Sequence, residues 1–446
     1  MRNNIVSQLS LIPPVIDHPH ARELSRVSAI LDTLPLAAER VARDLARGTE
    51  ARRAGRAGMS GEQVLRAALL KQMHAWSYDD LAFHLCDSET FRSFCRIGMM
   101  DAAPKRSCLA ENIKRVEPST FEEVNRLVVG HAKKKGVESG SKIRVDSTVI
   151  DANIHHPLDS RLLFDVVRVL TRLLKKSTRH SSRIKYSNHT KRAKRRSLGI
   201  LNARSMAHRV PLYRELLELT QRTITYASHA VTVLGTLASP RAWRAADRLQ
   251  RVIELGNKVV DQTRRRVFEQ ASVPATEKIV SLFEPHTDVI VKDRRQTLYG
   301  HKVFLNVGAS GMILDLLLER GNPADSTRVM PMLERHRALM GKAPSQAAFD
   351  AGFTSKANIE NARHFGVKDA SFAKKGSIDV LAGGCSPERH KLLQRFRAGV
   401  EGIISFTKRC FGFGRCFWRG YQSFQAYAWA SVLSTNLMLL ARQTMH

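Results

Sequence analysis

Acidic residues are scarce in this sequence. Its 446 residues carry 41 Asp and Glu against 72 Lys and Arg, a formal net charge of +31. Such a surplus favours a polyanionic partner through counterion release and electrostatic steering; the plain alternative is a soluble cationic surface. Long apolar runs are also missing. No stretch of about 18 uninterrupted apolar residues occurs, so no membrane span is expected. The best candidate, 427–441, is interrupted by Ser431, Ser434, Thr435 and Asn436 and reads as a buried helix. The opening MRNNIVSQLSLIPP has neither the apolar core nor the cleavage site of a secretory leader. The six cysteines (Cys86, Cys95, Cys108, Cys385, Cys410, Cys416) include no C-x-x-C pair, which removes support for a zinc site or a disulfide framework. A reducing cytoplasm is the natural setting. No internal repeat is present. Hydrophobic residues make up 43%, enough for a core, and the length suits two or three domains.

What is present begins with helices. Ser60 and Gln63 form a capping-box pattern ahead of VLRAALLKQM, and Ser119 with Glu122 offers another before VNRLVVGHAKKKG. YDDLAFHLCD and ETFRSFCRI predict two further short helices, a texture that suits a helix-turn-helix-like DNA-binding unit. At Lys142 the texture changes: IRVDSTVIDA is β-branched and alternating, which predicts a strand. Amphipathic helical patterns then return over 157–285. Within them, residues 172–196 hold eleven Lys or Arg and no Asp or Glu. That run, including Lys191, Arg192, Lys194, Arg195 and Arg196, reads as a phosphate-tracking arm rather than a salt-bridged helix face. KRAKRR also resembles a nuclear localisation signal.

Strand texture resumes at YGHKVFLNVG and MILDLLLERG, joined by a Ser-Gly hairpin turn. A helix from Ser326 is expected, bent or delayed by Pro331. SQAAFDAGF reads as a strand ending in a turn, SKANIENARHFG as a helix stopping at Gly366, and DASFAKK as a last short strand. A long helix over 387–409, a Gly-rich turn through Phe411-Gly412-Phe413-Gly414, and an apolar helix from Phe424 complete the chain. The order describes a mixed α/β layer interrupted after its first strand.

Three acids on three elements are candidates for metal-assisted phosphodiester chemistry, which needs carboxylates converging on hard divalent ions. Asp146 sits mid-strand, where an unpaired carboxylate is costly; the alternative is an exposed edge-strand residue paired with Arg144. Asp350 ends an apolar strand beside a turn, where α/β folds place active residues, or else simply forms the turn. Glu401 lies on the long helix with Arg397 four residues before and Lys408 seven after, roughly on one stripe. By itself that pattern reads as a solvated ion pair.

Four stretches resemble the DDE transposases of bacterial insertion sequences. RVDSTVIDANIHHP resembles the first-acid motif at Asp146. YGHKVFLNVGASGMILDLLLERGNPAD resembles the second and third strands and the Gly-Asn-x-x-Asp that follows. FDAGFTSKANIENARHFGV resembles the second-acid motif at Asp350. RAGVEGIISFTK fits the third-acid helix, Arg-x3-Glu-x6-Lys, at Arg397, Glu401 and Lys408. SYDDLAFHLCDSETFRSFCRIG looks like the helical N-terminal domain, and NIHHPLDSRLLFDVVRVL is similar to the ISNCY branch. One departure is Gln394, where many relatives carry Tyr.

The resemblance implies an α/β, RNase H-like mixed sheet with flanking helices, a helical N-terminal domain and a large helical insertion after the first strand. The expected boundaries are 1–138 for the helical DNA-binding domain, 139–156 for the first core strand, 157–285 for the basic insertion and 286–446 for the rest of the core. It further implies that Asp146, Asp350 and Glu401 hold two Mg²⁺ or Mn²⁺ ions, and that water frees a 3′-OH at each element end. That 3′-OH then attacks target DNA. Arg397, Lys408, Arg415 and Arg419 would contact the DNA backbone. Double-stranded DNA, as terminal inverted repeats and target, is the implied partner, with a homodimer on DNA, no membrane, and a cytoplasmic, nucleoid-associated place in a bacterium. The competing readings are a DNA-binding regulator without catalysis, an RNase H-like nuclease without strand transfer, and a cationic structural protein.

Overall fold

A computed structural model of the chain describes residues 17–47, 58–292, 296–381 and 384–443; the opening segment read for a leader lies outside them. The chain forms two compact units, Met1–Asp151 with His301–His446, and Ala152–Gly300.

Among the described residues the first unit opens with seven helices: α1 (Pro19–Asp32), α2 (Pro35–Ala46), α3 (Gly61–Met73), α4 (Tyr78–Asp87), α5 (Glu89–Phe94), α6 (Arg106–Ile113) and α7 (Pro118–Lys134). The Ser60–Gln63 capping box forms as expected. The one expected at Ser119 and Glu122 does not. Pro118 occupies the first turn, where its missing N–H costs nothing, and the N-cap falls on Glu117. Ser119 is therefore inside the helix, and Glu122 pairs with Arg126 and Arg335 instead. Arg66, 1% exposed, is held by Asp32 at 2.6 Å and Glu62 at 2.9 Å.

Strand β1 (Lys142–Ala152) leads to the second unit, built on α8 (Asp159–Ser177), α9 (Thr190–Asn202), α10 (Met206–Gly235) and α11 (Pro240–Val267). Their apolar faces close on one core that includes Leu163, Val166, Leu170, Leu216, Ala227 and Val259. Strand β2 (Asp288–Lys292) pairs antiparallel with the start of β3 (Gln296–Gly308), which carries the chain back to the first unit.

There β3 and β4 (Ile313–Glu319) form the expected hairpin, with Gly311 at φ +88° in the turn. The helix expected from Ser326 begins as a 3-10 turn, Asp325–Arg328. It becomes α12 (Val329–Met340) only where Pro331 can sit in the first turn. Then follow β5 (Gln346–Phe349), α13 (Lys356–His364), β6 (Asp369–Phe372), α14 (Pro387–Cys410), β7 (Arg415–Cys416) and α15 (Tyr421–Gln443). The sheet order is β2-β3-β1-β5-β6, with β4 on β3 and β7 on β1.

Helix α15 is buried along most of its length. Leu433, Leu437 and Leu440 are fully enclosed, each burial worth roughly 1.5–3 kcal/mol. Of the polar residues that broke its apolar run, Ser431, Thr435 and Asn436 have hydrogen-bond partners, and Ser434 Oγ has none among the described residues. The Asn436 side chain accepts from the Ile313 N–H at 2.8 Å and donates to the Ile313 carbonyl at 2.7 Å, so it completes the edge of β4 as a neighbouring strand would. No helix among the described residues is long and apolar enough to cross a membrane.

Candidate active site

Strands β1 and β5 run parallel, with Lys142 opposite Gln346 and Val145 opposite Phe349. One step further in the same register come Asp146 and Asp350. Because neighbouring strands lie about 4.8 Å apart, pairing sets the two acids side by side. Asp146 is largely enclosed, its side chain 15% exposed, and its Oδ1 accepts from the Ser147 N–H at 2.7 Å. Asp350 is 44% exposed and stands at the N-cap position of the 3-10 turn Ala351–Phe353, with no capping hydrogen bond from its side chain. Stacking of Phe349 on Phe372, 4.6 Å between centroids, fixes the strand end that delivers it.

Helix α14 is clamped onto these strands. Arg144 donates to the Phe396 carbonyl at 2.8 Å and lies 4.5 Å from the Phe396 ring centroid. This excludes the edge-strand alternative in which Arg144 pairs with Asp146: β1 lies between β3 and β5, and Arg144 is spent on the helix. Gln394 donates to Ser371 Oγ at 2.9 Å, and to the Phe349 carbonyl at 3.5 Å. One turn on, Arg397 Nη1 stands 3.6 Å from Asp146 Oδ2 and 3.6 Å from Asp350 Oδ1, so those two oxygens are separated by at most twice that distance. Glu401 follows one turn later and is exposed.

A fourth acid borders the pair. Asp325, the last residue of GNPAD, pairs with Lys302 at 2.6 Å and accepts from Ser147 Oγ at 3.3 Å. Gly352, beside Asp350, has no room for a side chain because a Cβ there would meet Asp325 Oδ2 at 2.6 Å. Asp325 thus touches the segments that carry both aspartates. Sequence reading assigned it no role, although its motif was visible.

Of the basic candidates, Lys408 and Arg415 face a common carboxylate. Burial pushes the Asp151 carboxyl up, and the charges of Arg415 and Lys408 pull it back down. Arg419 is exposed and lines a separate cavity near Trp418. Lys191, Arg192, Lys194, Arg195 and Arg196 belong to the other unit, on α9. There the uncompensated arm needs correction: Glu215 of α10 pairs with both Arg192 and Arg196. Lys191, Lys194 and Arg195 are exposed.

Two carboxylates converging on one cationic group offer the hard oxygen donors that Mg²⁺ or Mn²⁺ takes. The aspartate pair therefore fits a divalent ion. Among the described residues, no three His, Cys, Asp or Glu are gathered so as to hold a metal, and Glu401 is not drawn in with the pair.

Residues 259–437, which include Asp350 and Glu401, match the family described as "Transposase DDE domain". Residues 15–115 match "Transposase domain (DUF772)". The chain belongs to the insertion-sequence DDE transposases. An uncharacterized protein, ORF8 of the nfe locus of Rhizobium meliloti, is 30% identical over 144 residues, 31% of this chain and 66% of that protein. No solved structure matches. The mixed sheet, flanking helices and helical N-terminal region are those of an α/β, RNase H-like transposase. In this transposase Gln394 ties α14 to β5 and β6.

Proposed function

We propose that this transposase cuts the ends of its own mobile element and joins the freed 3′-OH ends to target DNA. The observation that carries the proposal is the convergence of Asp146 and Asp350 on Arg397. Asp146, Asp350 and, from α14, Glu401 would hold two divalent ions, which when bound supply activation of the attacking oxygen and charge neutralisation on the leaving one. Arg397 balances the two aspartates and offers its guanidinium to the DNA backbone. Lys408 and Arg415 extend that cationic lining past Asp151. Lys191, Lys194 and Arg195 on α9 hold duplex phosphates, while the N-terminal helices contact the element ends. Water opens the phosphodiester first, and the resulting 3′-OH then attacks target DNA. No covalent enzyme intermediate is needed, so catalysis rests on positioning and charge stabilisation. Bringing two ends together calls for a homodimer on DNA. The helical segment after β1 supports an ISNCY-like placement, and a bacterial cytoplasm, at the nucleoid, is the expected site of action.

The direct test is cleavage of DNA carrying the sequences that flank the gene, with Mg²⁺ or Mn²⁺, followed by a search for strand-transfer products. Nicks at both ends and joined products support the reading. Tight, metal-independent binding without any nick would favour a DNA-binding regulator, the second reading, which the exposure of Glu401 away from the aspartate pair keeps in play.

A further inference from the structure

A cavity of about 410 Å³ opens in the first unit, between α3, α4 and α6 and the segment after α14. Its size is within the range of ligand pockets. Two wall residues tie it to the end of α14: Gln72 donates to the Phe411 carbonyl and Tyr427 to the Gly412 carbonyl, each at 2.8 Å. Phe411 follows Arg397 by fourteen residues, so about 21 Å of helix separates this cavity from the aspartate pair. It is a different place from the site of cleavage.

The lining combines aromatic rings with cations. Trp76 has both faces occupied, stacked between His74 at 4.2 Å and His84 at 4.1 Å, and serves as rigid wall. Lys71 is wall too: its ammonium donates to the Trp76 carbonyl at 2.8 Å and lies 4.8 Å from the Tyr78 ring centroid. Burial pushes that ammonium down to about 8. Asp79, the acid on the lining, is paired with Arg106 at 3.2 Å. What remains on offer is specific. Phe417 is 60% exposed at the mouth. Trp418 is 9% exposed, and its indole N–H, a donor with no acceptor capacity, has no hydrogen-bond partner among the described residues. Lys114 and Arg419 add cationic groups to the same lining.

A free ring face, an unpartnered buried donor and nearby cations match the three parts of one nucleotide: a flat base, its acceptor edge and its phosphate. We infer that this cavity binds a single unstacked nucleotide of a DNA strand, with the base on Phe417, a base acceptor on the Trp418 N–H, and the phosphate by Lys114 and Arg419. At 3.4 Å per residue of a strand, about 21 Å of helix corresponds to roughly six nucleotides from the aspartate pair. The site would therefore hold a strand that has left the duplex some way from the scissile phosphate. The inference rests on the DNA reading above.

The test uses the full-length protein and three fluorescein-labelled probes: oligothymidylate of about fifteen nucleotides, the same backbone with abasic sugars, and a duplex of equal length. Fluorescence anisotropy should show the oligothymidylate bound at least about fivefold more tightly than the abasic strand. Phe417→Ser and Trp418→Phe should each bring that ratio close to one while duplex affinity stays unchanged. Phe417 is exposed and the Phe at 418 keeps the packed ring, so both variants retain the fold. Equal binding of the thymidylate and abasic strands by the unaltered protein, with duplex binding intact, overturns the cavity assignment alone. A ratio unchanged in both variants does the same. Failure of all three probes to bind overturns the DNA reading with it.

Discussion

Charge is handled in opposite ways in the two units. In the helical unit, arginines that look unopposed in sequence have acids across the helices: Arg192 and Arg196 share Glu215, and Arg266 reaches Asp159 at 2.8 Å. At the sheet, the arrangement is inverted. Two aspartates on adjacent strands share one guanidinium at 3.6 Å, with a third acid, Asp325, held separately by Lys302. One region pairs several of its arginines with acids yet leaves Lys191, Lys194 and Arg195 exposed, and the other sets two carboxylates around a single guanidinium. Close carboxylates are costly unless something cationic completes them, and the second arrangement is the one on which the proposed chemistry rests.

The strongest way to break this comparison is to remove a carboxylate from the sheet. Asp146→Asn or Asp350→Asn should lower cleavage of the element ends by about a thousandfold or more while duplex binding persists in a gel-shift assay. Cleavage surviving in either variant would show that residue to be outside the chemistry. Asp325→Asn tests the neighbouring acid. Because Asp325 touches Ser147 and crowds Gly352, it should act through positioning and reduce cleavage about 10- to 100-fold. Metal titration should then show weaker apparent affinity, a shift that simple destabilisation would not give.

In the helical unit, replacing Lys191, Lys194 and Arg195 together with Gln should weaken duplex binding. It should also flatten the dependence of log K on log salt by about 0.9 for each phosphate that is no longer neutralised. An unchanged slope would make that face a solvated surface. The smallest effect is expected of Glu215→Gln. Freed from their shared acid, Arg192 and Arg196 should raise duplex affinity a few-fold, and stability should fall by no more than about 1 kcal/mol because the pairs are partly exposed.

Acid provides a different lever, on the frame of the sheet unit. Burial, helped by His20 and His84, pushes the His74 imidazole down to about 4. Burial likewise lowers His336 to about 4, although Glu138 opposes it. Both rings are neutral in the fold at pH 7 and take up protons near 6.5 once unfolded. The unfolded state therefore binds more protons between about 6.5 and 4, and stability should fall as pH drops through that window. Urea midpoints at pH 7 and pH 4.5 measure this, and His336→Gln should show a shallower loss than the unaltered chain.

Local signals carried much of the element map. The β3–β4 hairpin, the strand at Asp146, the halt near Gly366 and the long α14 were legible because alternation, turn glycines and helical periodicity act over a few residues. The capping box at Ser119 failed because the helix starts at Pro118, with its N-cap on Glu117, two positions before Ser119. The pairing of Arg192 and Arg196 was invisible because Glu215 lies on the next helix, and the role of Gln394 was invisible because its partners are on β5 and β6.

By itself the sequence determined the elements, the excess of positive charge and the motifs of an insertion-sequence transposase, because each depends on residue type and near neighbours. Only the tertiary structure decided which charges meet. Parallel register brings positions 146 and 350 together across some two hundred residues of chain, and a helix clamped by Arg144 lays Arg397 between them. Interactions between charges depend on distance in space, and sequence separation alone does not set that distance.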